Sequence, residues 1–215
     1  MLMQEEREQI VEYGKMASAS GLCPGTSGNM SICNAERDLI AISPSGMDYF
    51  EIRPEDVVIT DRGGHVVDGS RRPSSEWALH AVFYRDRPEC RAVVHTHSVY
   101  CTTFAALGEP IRAVHYVLCD AGTDLVPCAP YRTFGTEELA EAAIAACGKS
   151  HAVLLANHGM VAWGGSLAEA YGAARNVEYV AQIQYRAACI GKPNVLTAEQ
   201  MDAVFERARS YGQPK

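Results

Sequence analysis

The strand-like runs of this chain come in closely spaced pairs, and that spacing restricts the fold more than any other feature. MSIC at 30–33 and DLIAIS at 38–43 flank the turn-like stretch NAERD, and DVVIT at 56–60 and HVVDG at 65–69 flank Asp61-Arg62-Gly63-Gly64. AVLLANHG at 152–159 breaks at its glycine into MVAWG at 160–164, which reads as its hairpin partner. Parallel neighbours need a crossover of a dozen or more residues, so connections this short predict antiparallel pairing. Helix-like stretches lie between the pairs, at about 3–20 (ending at Gly21), 73–88, 98–107, 136–147, 166–190 and 197–209. AVHYVLC at 113–119 reads as extended. Helices and hairpins alternate without a regular βαβ rhythm, and no linker divides the 215 residues. The expectation is an α/β protein of one domain, 1–215, with a mainly antiparallel central sheet covered by helices.

One further strand, RAVVHTHS at 91–98, carries two of the seven histidines. Side chains alternate faces along a strand, so His95 and His97 point one way and Thr96 the other. Two imidazoles on one face can share a metal ion, or stand as ordinary polar residues at a sheet edge. His158 lies where LLANHGM breaks into Gly159, and Glu76 opens the helix after Ser74 and Ser75, where its charge also suits a helix N-terminus. Together, three imidazoles and a carboxylate make a zinc donor set of the catalytic kind. His65, His80, His115 and His151 have no same-face histidine partner and are assigned to surface or core polar roles.

Three small-residue clusters, GTSGN at 25–29, SPSG at 43–46 and PSSE at 73–76, offer close backbone approach, hydroxyls and a helix N-terminus to an anion. Each alone is a turn; they form a phosphate site only if they converge. GTSGN lacks the Gly-Lys-Ser/Thr ending of a Walker loop. The four lysines, Lys15, Lys149, Lys192 and Lys215, all lie outside apolar strands, which favours a metal over a Schiff-base lysine.

The formal charge of −7 and pI near 5.5 give a nucleic-acid partner little support. No uninterrupted apolar run reaches membrane-spanning length. The charged start MLMQEEREQ lacks signal-peptide character, and the eight scattered cysteines read as reduced thiols, so the expected location is the cytoplasm.

From the first helix to about SYGQ, the chain closely resembles the zinc-dependent class II aldolases of the L-fuculose-1-phosphate type, within the aldolase, epimerase and adducin-head superfamily. The likeness is carried by GTSGNMS, SPSG, PSSEWALH, AVVHTHSVYCT, HYVLCDAG, PCAPYRTFGT, LLANHG and Tyr211-Gly212. It implies one zinc per subunit held by Glu76, His95, His97 and His158, with Glu76 also the catalytic acid/base. It implies a phosphate site at Thr26, Ser27, Gly28, Asn29, Ser45, Gly46, Ser74 and Ser75. It further implies a cyclic homotetramer with active sites between subunits, a catalytic Tyr116 from the adjacent subunit, and a mobile catalytic Tyr211 near the C-terminus.

The implied reaction is retro-aldol cleavage of a deoxy-ketose 1-phosphate to dihydroxyacetone phosphate and an aldehyde. L-fuculose 1-phosphate, 5-deoxyribulose 1-phosphate and its 5-methylthio analogue are the candidate substrates. HTHS and NHG also resemble the L-ribulose-5-phosphate 4-epimerases, whose catalytic aspartate falls near Asp120, but those enzymes typically carry Asp where this chain has Glu76. A metal-free adducin-head module predicts eroded ligands, and here all four are present.

Overall fold

The computed structural model describes residues 1–210. The elements in chain order are α1 (Gln4–Ala19), β1 (Asn29–Cys33), β2 (Leu39–Ile42), β3 (Val58–Asp61), β4 (Val66–Asp68), α2 (Trp77–Asp86), β5 (Ala92–Thr96) and α3 (Val99–Leu107). Then come β6 (Ile111–Arg112), β7 (Leu125–Val126), β8 (Cys128–Ala129), α4 (Glu137–Cys147), β9 (Ala152–Leu155), β10 (Gly159–Gly164), α5 (Leu167–Ile190) and α6 (Ala198–Ala208). The main sheet has the order β4-β3-β2-β1-β5-β10-β9-β8, and every pair is antiparallel except β8 with β9. β6 and β7 form a separate two-stranded ribbon. This is the expected α/β architecture with a mainly antiparallel sheet.

Strand alternation divides the core into two layers. Met30, Ile32, Ala92 and Val94 face the layer shared with residues of α1, α3 and α5. Cys33, Val93, Val153, Val161 and Trp163 face Leu79, Val82, Phe83, Leu139 and Ile144 of α2 and α4. His95 has the parity of Val93 and therefore points toward the α2 layer, while Thr96 points away. β5 lies between β1 and β10, with Asn29 and Val161 as the register partners of His95. The histidine strand is thus at the centre of the sheet, not at its edge.

The expectation of an extended AVHYVLC is corrected. Tyr116–Ala121 forms a 3-10 helix, with the His115 imidazole accepting from the Val117 N–H and Gly122 ending it at φ 63°. The apolar residues that looked like a strand turn Leu118 and Ala121 into the core while Tyr116 stays exposed. A local side-chain cap outweighed the β-branched content. The two-residue strands β6, β7 and β8 are too short to produce an alternating pattern.

No helix among the described residues is long and apolar enough to cross a membrane. All eight cysteines are free thiols.

Candidate active site

Glu76 sits immediately before α2, in a turn where the Ser74 hydroxyl accepts from the Glu76 N–H at 3.2 Å. Ser74 is therefore tied into the turn that aims Glu76, and the regular helix begins one residue later than the carboxylate. His95 lies within the fully buried β5, His97 follows the strand's last residue, and His158 occupies the tight connection from β9 to β10. One ligand atom from each of Glu76, His95, His97 and His158 can be chosen so that all four lie within 4.8 Å of one another. The Nε2 of His95 is 2.9 Å from the Nε2 of His97 and 3.1 Å from Glu76 Oε2, and His158 Nε2 is 3.3 Å from Glu76 Oε1.

The chemistry of this donor set fits a metal cation. His95 Nδ1–H donates to the Met160 carbonyl at 3.0 Å, which leaves Nε2 as the atom turned toward the cluster. There it faces another imidazole nitrogen and a carboxylate oxygen in a fully buried position, an arrangement of converging lone pairs that a bound cation would satisfy. Glu76 Oε1 and His158 Nδ1 are buried without hydrogen-bond partners. Burial, then the neighbouring His95, lowers His97 and His158 to about 4, which keeps both imidazoles neutral and able to donate lone pairs at neutral pH. Burial opposes ionisation of Glu76, but the field and hydrogen bond of His95, followed by His158 and the Asn29 amide, outweigh it and hold the carboxyl well below its ordinary range.

Close approach at this site depends on two glycines. A Cβ on Gly28, which has φ 76°, would strike the Cys23 thiol and the His95 carbonyl, and one on Gly159 would strike the Thr96 carbonyl.

The three small-residue clusters that offer donors to an anion meet at one end of the sheet. Ser43 and Met30 exchange hydrogen bonds, Ser74 N–H donates to the Ser43 carbonyl, Ser45 N–H donates to the Arg72 carbonyl, and Pro44 bridges to Pro73. Thr26, Ser45, Gly46 and Ser75 are exposed there, and Ser27 and Gly28 are half-buried. Asn29 differs from them. Its amide nitrogen donates to Glu76 Oε2 at 3.0 Å and its amide oxygen accepts from His80, both in the interior.

A cavity of about 350 Å³ lies over the cluster, lined by Glu76, His97, Tyr131, Arg132, Phe134, Asn157 and His158. Two parts of this lining were not anticipated as site residues: Tyr131, Arg132 and Phe134, and Asn157, held at φ 56°. PYRTFGT opens with a proline directly after a strand, and Asn before a strand-break His is a left-handed turn signal, so both left a trace in the sequence. Tyr116 does not line this cavity. It stacks on His115 and, with Asp120, Val204 and Arg207, lines a different one against α6. Tyr211 lies outside the described residues.

Buried neutral histidines also set a pH dependence. Burial lowers His80 to about 3, beside the values of about 4 at His97 and His158. Below the ordinary value of 6.5 the unfolded chain takes up protons that the folded chain refuses, so stability present above 6.5 is lost as pH falls. For the fully buried His80 the metal-free protein is expected to lose stability with a slope that steepens to about 1.4 kcal/mol per pH unit between its ordinary and its folded value, and the half-buried His97 and His158 add less each. Denaturant titrations at about pH 7 and about pH 5 measure this, and equal stability at both would contradict it.

Residues 8–185 match the family model described as class II aldolase and adducin N-terminal domain. The chain is 48% identical to a 5-deoxy-D-ribulose 1-phosphate aldolase of Bacillus thuringiensis serovar kurstaki, over 99% of this chain and 100% of the relative. It is 39% identical to a 5-methylthioribulose-1-phosphate/5-deoxyribulose-1-phosphate aldolase of Rhodospirillum rubrum, covering 96% of this chain and 92% of the relative. A solved L-fuculose 1-phosphate aldolase superposes with a TM-score of 0.93 at 41% identity, covering 97% of this chain and 98% of that one. A family match over most of the length, joined to a buried carboxylate and three imidazoles around one point, shows that the chain belongs to the class II aldolase and adducin N-terminal domain family.

Proposed function

We propose that this protein is a zinc-dependent aldolase that cleaves a deoxy-ketose 1-phosphate to dihydroxyacetone phosphate and an aldehyde. The observation that carries the reading is the convergence of Glu76, His95, His97 and His158, which would hold the metal. Among the candidate substrates, 5-deoxyribulose 1-phosphate stands first, because the relative named for it shares 48% identity, against 38% for an Escherichia coli L-fuculose phosphate aldolase.

The residues divide the work by position. Zinc would supply the Lewis acid that polarises the substrate carbonyl and absorbs the charge released when the carbon–carbon bond breaks. Glu76, buried at the floor of the cavity, would return a proton to the carbon that loses its partner. Thr26, Ser27, Gly28, Ser45, Gly46, Ser74 and Ser75 would form the phosphate site; because the Ser27, Ser45 and Ser74 N–H groups are given to the Pro24, Arg72 and Ser43 carbonyls, the donors would be the hydroxyls and the remaining N–H groups, with Asn29 linking that region to Glu76. Tyr131 and Phe134 place aromatic surface beside the cluster, a suitable wall for an apolar sugar tail.

Tyr116 lies outside the cavity of its own chain and is 58% exposed, which supports a homotetramer in which a neighbouring subunit supplies it for proton exchange at the C4 oxygen. Tyr211 is proposed as a further catalytic residue of the same reaction. Eight free thiols support a cytoplasmic location. Light scattering tests the assembly, with an expected mass about four times the 23.3 kDa of one chain.

The deciding assay incubates zinc-loaded protein with 5-deoxyribulose 1-phosphate, L-fuculose 1-phosphate and L-ribulose 5-phosphate, and follows dihydroxyacetone phosphate. Release from the 1-phosphates is the expected result. No release, with epimerisation of the 5-phosphate, would replace the aldolase reading with an epimerase using Asp120.

A further inference from the structure

Behind Glu76 lies a line of buried polar side chains that the proposed reaction does not use. Glu76, the residue that caps α2, is followed at intervals of four by His80 and Tyr84 within the helix, and Asn29 and Ser31 are two apart along β1, so each set lies on one side of its element and the two sides meet. The Tyr84 hydroxyl is 2.6 Å from Ser31 Oγ, and Ser31 Oγ is 2.6 Å from His80 Nδ1. His80 Nε2 meets Asn29 Oδ1, and Asn29 Nδ2 donates to Glu76 Oε2 at 3.0 Å. Every member is at most 7% exposed.

Each link has one direction. Burial pushes the Tyr84 phenol well above its ordinary range, so it is a donor, and it keeps His80 neutral, with a single ring proton. Asn29 Oδ1 can only accept, so that proton is on His80 Nε2, and Nδ1 accepts from Ser31, whose oxygen accepts from Tyr84. The direction of the whole chain is set at its Glu76 end, where an ionised carboxylate can only accept and so takes the Asn29 NH₂, and the partners behind hold the amide in that orientation. A carboxyl oxygen that receives this N–H keeps its acceptor role in either protonation state. The other oxygen, Oε1, is buried without a hydrogen-bond partner.

We propose that Tyr84, Ser31, His80 and Asn29 form a positioning chain that pins Glu76 Oε2 as a fixed acceptor and reserves Oε1 as the oxygen that carries the proton. The inference rests on the aldolase reading and deepens it. His80 and Tyr84 are positioning residues; neither lines the cavity over the cluster.

The test uses full-length, zinc-loaded His80→Phe, His80→Gln and Tyr84→Phe. Four quantities are read: kcat, KM, zinc affinity by chelator competition, and deuterium uptake into dihydroxyacetone phosphate presented alone. His80→Phe is expected to lower kcat and deuterium uptake by about 10- to 100-fold, weaken zinc binding about tenfold, and change KM less than about threefold. His80→Gln, whose amide returns an N–H toward Asn29, should recover to within about fivefold of wild type, and Tyr84→Phe should lose about three- to tenfold in kcat. His80→Phe with kcat and uptake within about twofold of wild type overturns the inference, as does His80→Gln that is no better than His80→Phe. If His80→Phe does not fold, Tyr84→Phe decides, and an unchanged kcat there overturns the inference. Wild-type protein that neither cleaves nor exchanges overturns the aldolase reading and this inference together, whereas active wild type with unaffected variants overturns this inference alone.

Discussion

Glu76→Gln is expected to keep about one zinc per chain and lose at least about 10³-fold in kcat, a loss of about 4 kcal/mol of transition-state stabilisation. The substitution is nearly isosteric, and it leaves His95, His97 and His158 in place, so three of the four converging donors survive. What it removes is the capacity to take up and release a proton at Oε1, the buried oxygen without a hydrogen-bond partner. The Gln amide also presents N–H groups where the Asn29 Nδ2 needs an acceptor, so half of the Gln rotamers are disfavoured. Steady-state kinetics with metal analysis on the same sample checks both halves. A variant that stays within tenfold of wild type would remove Glu76 from the proton-carrying role, whatever its metal content.

Loss of the metal should be equally severe. His95→Ala is expected to bring zinc binding and turnover below detection, because His95 is fully buried and its Nε2 stands within 3.1 Å of Glu76 and 2.9 Å of His97. Its loss removes a nitrogen donor and leaves the Met160 carbonyl without its side-chain donor. Exhaustive chelation of wild-type protein should likewise abolish turnover, and added zinc should restore it. Binding that favours the folded state also raises stability, by about 2.7 kcal/mol at a free zinc concentration one hundred times Kd. A thermal melt with and without zinc therefore reports on the site independently of any substrate. An unshifted wild-type melt, or an equal zinc shift in His95→Ala, would sink the metal assignment.

The two glycines beside the cluster illustrate how much of such a site is readable before folding. GTSGN and NHG were visible as turns, and Gly28 does adopt φ 76°. Their contacts with the His95 carbonyl and the Thr96 carbonyl were not, because those contacts join segments far apart in sequence. The same holds for the phosphate clusters. Each was legible as a turn, but their adjacency follows from the β1–β2 register and the bridge between Pro44 and Pro73. His80 was assigned a bland polar role because its partners, Asn29 and Ser31, belong to another element 51 and 49 residues away. Tyr131, Arg132, Phe134 and Asn157 carry no periodicity that marks them, since they occupy irregular backbone.

By itself, the sequence determined what short-range geometry controls: hairpin pairing from brief connections, and His95 and His97 on one face from the two-residue strand repeat. The motif order added the family. Only the tertiary structure decided which faces meet. Placing β5 between β1 and β10 put the histidine strand at the sheet's centre, and packing α2 against that face set Glu76 opposite His95 and Asn29 beside it. Those contacts depend on strand order and layer packing, which are properties of the whole chain's burial of apolar surface, and no local window of residues contains them.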